Sequence, residues 1–181
     1  MTAPSLSIPL LTSERLRFVP LSFDHSEGMF RLWSHPDVCR HAGPVSDYDG
    51  TALSMPAAAP AVSDKIIDFW LRAAADGWGF RWALEERKNG VFLGILGFNA
   101  LGPTGEIAYH LDPDHWGQGY MSEAGERACR WAAAEGWRRM DAFIEPENKR
   151  SVGLAERLGF RRVEKGPDGT DRYTLRLRSG D

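Results

Sequence analysis

The sequence predicts one α/β domain spanning residues 1–181, with a mixed, mostly antiparallel twisted sheet of about seven strands flanked by about four helices. Three observations carry this. The chain has 181 residues and 43% hydrophobic side chains, enough for one domain with a full core. Period-two stretches follow one another without a helix between residues 79 and 112, the pattern of three consecutive antiparallel strands. Helical-period segments stand before and after that block, giving the order β-α-α-β-β-β-α-β-α-β-β.

Each element has its own signal. From Glu14 to Val19, Leu16 and Phe18 alternate with Arg15 and Arg17, as in a half-buried strand that Pro20 ends. Ser22 or Asp24 is placed to cap a helix carrying Phe23, Met29, Phe30 and Trp33, closed by Pro36. Residues 42–62 hold three prolines and little periodicity, which reads as a mobile loop, either a disordered excursion or a flap over a site. Asp64 is expected to cap a helix with Ile67, Trp70, Leu71 and Ala74 on one side. Phe80, Trp82 and Leu84 share a strand face, Asn89-Gly90 marks a hairpin, and VFLGILGFNAL and GEIAYHL supply the next two strands. Met121, Ala124, Ala128 and Trp131 recur at helical spacing until Gly136. Strand MDAFIE, a helix with Val152, Leu154, Ala155 and Leu158 stopped by Gly159, and strands FRRVEKG and RYTLRLR complete the chain.

A formal charge of -3 argues against nucleic-acid binding through general electrostatics. Between Arg138 and Lys165, however, eight basic residues face five acidic ones: a solvated surface, or a landing site for phosphates. Cys39 and Cys129 are far apart, without CxxC spacing, so neither a disulfide framework nor a zinc site is expected, and a reducing cytoplasm fits. The five histidines show no HxxxH or HxH spacing, so no metal site is expected. The opening MTAPSLSIPLLTSERL lacks a basic lead and a long apolar run, so neither a signal peptide nor a membrane anchor is expected.

The stretch HWGQGYMSEA, His115 to Ala124, places Gly117 and Gly119 between a strand and a helix. Such a turn is either steric or a place where an anion meets the free amides of a helix's first turn. No Lys-Ser/Thr follows it, and three antiparallel strands precede it, so neither a Walker loop nor a dinucleotide fingerprint fits. With TSERLRFVPL, GVFLGILGF, GEIAYHLDPDHWGQGYMSEA and ENKRSVGLAERLGFRRV, nearly the whole chain resembles the GCN5-related N-acetyltransferase (GNAT) superfamily. Within it the match is to the Rim-type branch, which includes ribosomal-protein N-terminal acetyltransferases. Against the family turn Arg/Gln-x-x-Gly-x-Gly/Ala, Trp116 takes the first position and Met121 the last, while Gly119 is kept. Asn148-x-x-Ser151 with Leu158-Gly159-Phe160 is the second signature.

The resemblance implies a sheet splayed around acetyl-CoA, the co-substrate, whose acetyl group passes to a primary amine in a ternary complex without a covalent enzyme intermediate. The strand through Leu111 would pair with the pantetheine arm, and the amides of Gly117, Gln118, Gly119, Tyr120, Met121 and Ser122 would cradle the pyrophosphate. Asn148 would meet the arm from the other side, and Arg157 or Lys149 would reach the adenosine phosphates.

Removing a proton from the amine calls for a base. Glu106, at the start of the strand beside the thioester, is the first candidate, and His110, of the same parity, the second. Each has a plain structural alternative, an exposed strand-end acid and a buried histidine. Ser151 is the candidate for stabilising the leaving thiolate, because Ala155 stands where many superfamily members have a tyrosine. Its plain alternative, like that of Asn148, is capping the following helix. Tyr109 and Tyr120 read as core or cofactor-lining residues. Trp33, His35, His41 and Trp78 are candidates for the acceptor side, with core packing as the alternative for the tryptophans. The acceptor is a protein N-terminal α-amine or a small-molecule amine, and a homodimer is an option. The other class of reading is a non-catalytic acyl-CoA-binding sensor or partner-binding module of the same fold.

Overall fold

The computed structural model describes residues 6–178. Eight strands form one open sheet in the order β1-β2-β3-β4-β5-β6-β8-β7. They are β1 (Leu11–Thr12), β2 (Leu16–Pro20), β3 (Phe80–Glu86), β4 (Phe92–Ala100), β5 (Thr104–Leu111), β6 (Arg139–Ile144), β7 (Arg161–Lys165) and β8 (Asp171–Arg176). Five helices flank it: α1 (Ser26–Trp33), α2 (Pro36–Cys39), α3 (Pro60–Asp76), α4 (Tyr120–Ala134) and α5 (Lys149–Arg157). Every strand pair is antiparallel except β5 with β6. No described helix is long and apolar enough to cross a membrane.

The alternation of the strands divides the core in two. Phe18, Phe80, Trp82, Leu96 and Phe98 point to the face covered by α4, where Ala124, Ala128 and Ala132 let the helix lie close to the sheet. Aromatic edges meet there at right angles, Trp82 on Phe80 at 4.8 Å and on Trp131 at 5.3 Å. Ala83 and Ile95 point the other way, onto Met29, Leu32 and Trp33 of α1 and Ile66 and Ile67 of α3.

Four local expectations are corrected. The two-residue β1 adds an eighth strand, antiparallel to β2. Pro36 does not close a helix but opens α2, and Pro60 likewise opens α3 four residues before Asp64. Both prolines sit in the first turn, where the missing N–H costs nothing and the fixed φ suits a helix. Asp64 therefore caps nothing; it lies inside α3 and accepts a hydrogen bond from Ser26. Residues 60–62, counted with the irregular segment, are helical. The rest of that segment is packed: Ala57 N–H donates to the Trp33 carbonyl, and Tyr48 reaches Asp76 and the edge of Phe69 on α3.

Candidate active site

The parallel pairing of β5 with β6 lasts three residues, Thr104–Arg139, Gly105–Met140 and Glu106–Asp141. Beyond Glu106 the strands part. β6 continues against β8 as far as Ile144, while β5 keeps only β4 beside it, so its β6-facing backbone edge has no strand partner. The gap is a cleft of about 1280 Å³ lined by Glu106 to Leu111 on one side and by Ala142 to Ile144 and the start of α5 on the other.

The glycine turn stands at one end of this cleft. Gly117 and Gly119 have φ of +73° and +80°, a region that side-chain-bearing residues enter at a cost. Gly119 is the N-cap of α4 and gives no side-chain cap. Among the described residues none of the N–H groups from Gly117 to Ser122 has an acceptor, so a row of donors is open at the positive end of a 15-residue helix. Nothing lies within 4 Å of where a Cβ on Gly117 would stand. Met121, in place of the family's small residue, is only 8% exposed and packs into the α4 core, and so leaves these amides open.

The turn is braced from the link between β1 and β2. Glu123 on α4 accepts from Ser13 Oγ at 2.5 Å, Arg15 N–H at 2.7 Å and Arg15 Nε at 2.7 Å. These donors hold its carboxyl below the usual range despite burial. Arg15 also donates to the Gln118 carbonyl at 2.8 Å and lies over the Tyr120 ring. Tyr120 donates in turn to Glu86. Across the cleft Arg150 stacks on Trp116 at 3.7 Å, so the two sides touch at the end where the glycine turn stands.

Asn148 is the N-cap of α5 and accepts from Ser151 N–H at 3.3 Å, so the capping alternative is realised for Asn148, while its residue still lines the cleft. Ser151 and Arg157 line the cleft as well, as do Gly117, Gly119, Tyr120, Met121, Ser122 and Leu111; Gln118 is exposed beside them. Tyr109, on β5, is pushed up to about 12 by burial, with the Ser151 hydroxyl and the Arg157 charge acting the other way. It is therefore a neutral phenol, and a donor, near neutral pH.

Glu106 and His110 share the opposite face of β5. Glu106 accepts from Asn99 Nδ2 at 2.8 Å. His110 packs on Trp33 at 4.6 Å, and its Nδ1 is buried without a partner. Burial, and then the charge of Arg81, push its pKa down to about 3. A neutral imidazole that resists protonation so strongly is a poor proton acceptor. It also has a measurable consequence for stability. The unfolded chain protonates His110 below about pH 6.5 whereas the folded chain does not until about pH 3, so stability falls as pH drops through that window. His110→Asn is expected to flatten this part of the pH–stability curve, read as urea midpoints between pH 6.5 and 4.

Of the residues considered for the acceptor side, His41 lines the cleft and meets Glu145 at 2.8 Å. Trp33 is core, His35 caps α2, and Trp78 lies in an aromatic group with Phe69 and Trp70 beside α3. Cys129 is buried, its thiol pushed up to about 12, and neither cysteine lines the cleft. Sequence reasoning missed the Arg15–Glu123 brace, the Trp116–Arg150 stack, and Arg81 and Asn99 beside Glu106. Spacing gives no signal for Arg81, which falls at the alternate position of a strand whose apolar face reads as Phe80, Trp82 and Leu84.

This arrangement is matched elsewhere. Residues 15–161 match the family model described as an acetyltransferase (GNAT) domain. The uncharacterized N-acetyltransferase YoaA of Bacillus subtilis is 27% identical over 158 residues, covering 85% of this chain and 84% of its own. RimL, the ribosomal L7/L12 alpha-N-protein acetyltransferase solved with coenzyme A, superposes with a TM-score of 0.77 at 18% identity, over 95% of this chain and all of its own. The microcin C7 self-immunity acetyltransferase MccE, solved with acetyl-CoA and AMP, gives 0.74 at 15% identity, over 97% and 98% of the two chains. With its splayed β5–β6 pair, its open amide turn and a model match over most of its length, the chain belongs to the GNAT family of acetyltransferase domains.

Proposed function

We propose that acetyl-CoA lies in the cleft as co-substrate and that its acetyl group passes to a primary amine by direct attack in a ternary complex. The observation that carries this is the parting of β5 from β6 directly beside unengaged amides. The pantetheine arm pairs with the free edge of β5 up to Leu111. The pyrophosphate takes the amides of Gly117 to Ser122, and Asn148 meets the arm from α5. Lys149, Arg150 and Arg157, all lining the cleft, supply positive charge for the adenosine phosphates.

The acceptor approaches on the face of Glu106 and His110, under the rim formed by Asp37, Val38 and Arg40 to Pro44. Glu106 takes a proton from the ammonium group, directly or through one water, and the amine then attacks the thioester carbon. Ser151, with the Tyr109 phenol beside it, gives its proton to the thiolate as the C–S bond breaks, and the second proton on the amine nitrogen passes through water to Ser151. Ser151→Ala is accordingly expected to lower kcat about tenfold with the affinity for acetyl-CoA unchanged, checked by steady-state kinetics and calorimetry. Much of the remaining rate comes from holding both reactants in one cleft.

The acceptor is a protein N-terminal α-amine or a small-molecule amine, and a ribosomal-protein N-terminus is the first to try because RimL has that fold. Two free cysteines suit a reducing cytoplasm. The test is thiol release from acetyl-CoA with a panel of peptides varied at the N-terminal residue, free amino acids and spermidine. Turnover with one amine class supports the reading. Micromolar coenzyme binding with no turnover across the panel overturns it in favour of an acyl-CoA-binding module. Sedimentation of the same preparation reports whether the chain is a homodimer.

A further inference from the structure

Beneath Glu106 lies a charge that the reaction described above does not use. Arg81, on β3, is 4% exposed, yet among the described residues no carboxylate touches its guanidinium. A buried cation without an ionic partner is costly, and such a group is kept where something depends on it. Its contacts are specific. Nη1 donates to the Phe80 carbonyl at 3.1 Å, the plane lies 3.5 Å over Trp70, and Nη2 donates to Asn99 Oδ1 at 2.6 Å. Asn99 in turn donates from Nδ2 to Glu106 Oε1 at 2.8 Å.

The backbone sets up this chain of contacts. Arg81, Asn99 and Glu106 come from adjacent strands β3, β4 and β5. The β4–β5 register shifts between Phe98 and Ala100, placing a β-bulge at Asn99. Bulges re-aim a side chain at the cost of a ladder bond, and often occur beside sites. The amide has one way to satisfy both neighbours: its oxygen must face the guanidinium, which only donates, and its nitrogen must then face Glu106.

We propose that Arg81 and Asn99 are positioning residues for Glu106, a relay in which the buried guanidinium fixes the Asn99 amide and the amide holds the carboxylate facing the cleft. The relay rests on the reading of Glu106 as base. Arg81 is suited to the task, since even with burial lowering it to about 9 it remains a cation at neutral pH. Other charged or titratable groups face the same place. His110 is on the same face of β5, and Asp141 stands opposite on β6, held by Arg139, Arg172 and the Thr174 hydroxyl. Asp37, Arg40 and His41 stand on the rim, with Asp37 paired to Arg40 and His41 to Glu145.

The test follows the Glu106 carboxyl carbon by NMR in protein labelled with ¹³C-glutamate, the signal assigned by its loss in Glu106→Gln. Steady-state kinetics use the best amine of the panel. Asn99→Leu removes the donor and is expected to raise the Glu106 titration midpoint by about half a pH unit or more and to lower kcat about tenfold. Asn99→Asp sets a second carboxylate between Arg81 and Glu106 and raises the midpoint further. Arg81→Met keeps packing against Trp70, removes the charge, and raises the midpoint as well, with Arg81→Lys restoring part of it. A purely packing role for Arg81 predicts lower melting temperatures and an unmoved midpoint. An unmoved midpoint in Asn99→Leu and Asn99→Asp, both folded, overturns the relay. Should Glu106→Gln keep full rate while these midpoints move, the relay stands and the base assignment falls; should Glu106→Gln lose rate while they stay fixed, the reverse holds.

Discussion

Glu106→Gln is expected to lower kcat by about 10²–10³-fold while acetyl-CoA binds within about twofold of its native affinity. The magnitude follows from what the carboxylate does. An acceptor amine is mostly an ammonium ion at neutral pH and has no lone pair for the thioester until a proton leaves. Glutamine fills the same volume and still accepts the hydrogen bond from Asn99 Nδ2 through its carbonyl, so the strand and the relay stay in place. What it cannot do is take the proton. The proposed coenzyme contacts lie along Ile107 to Leu111 and the turn beyond, on the far side of the Glu106–Asp141 pairing, so affinity is expected to be spared. The measurement is kcat at saturating acetyl-CoA with the best acceptor, alongside calorimetric titration of the coenzyme. The sign with pH is also fixed: because the neutral amine is the attacking form, raising pH recovers rate in the glutamine variant more steeply than in the native chain. A glutamine variant within threefold of native kcat at neutral pH removes Glu106 as the base.

How far the site could be read from the chain differs residue by residue. The alternation of Phe80, Trp82 and Leu84 and the Asn89-Gly90 turn announced the β3–β4 hairpin, because the large apolar side chains fall on one face and the register is held by their burial. The turn at Gly117 and Gly119 announced itself for a similar reason, since positive φ leaves glycine as the residue of choice. Met121 could be judged only in three dimensions: its side chain turns into the α4 core, and spacing says nothing of direction. Proline misled at Pro36 and Pro60, where it opens helices, because the same ring that ends a helix from inside fits its first turn. His110 illustrates a further limit. Its type suggested a base, while the neighbouring Arg81 charge and the Trp33 ring that helps bury it, which accompany a pKa lowered to about 3, come from residues 29 and 77 positions away in the chain. The Arg81–Asn99–Glu106 contacts were hidden for the same cause, since they depend on which three strands lie side by side and on a one-residue bulge.

Gly119→Val is expected to weaken acetyl-CoA binding by about 100-fold, the largest loss of affinity from any single change in the cleft. Two effects combine. At φ of +80° a β-branched residue is strained, and relief comes by shifting the turn, which swings the amides of Gly119 to Ser122 out of line with one another. The new Cβ would also stand 3.4 Å from Arg15 Nη2, and the same guanidinium holds the Gln118 carbonyl and Glu123. Two charge-assisted hydrogen bonds to a pyrophosphate contribute about 1.5–3 kcal/mol each, so losing even one with its neighbour weakened reaches two decades in the dissociation constant. Gly117→Ala separates strain from obstruction. No protein atom lies within 4 Å of that Cβ, so its folding cost is the backbone term alone, about 1 kcal/mol, and any affinity lost beyond the accompanying fall in melting temperature is lost to the ligand. Calorimetry well below the melting temperature of each variant, with desulfo-CoA and free adenosine 3′,5′-bisphosphate as partial ligands, locates the effect. The deficit should appear with ligands that carry the pyrophosphate and vanish with the bisphosphate that lacks it. If Gly119→Val, folded, binds acetyl-CoA as tightly as the native chain, the open amides of α4 are not where the diphosphate rests.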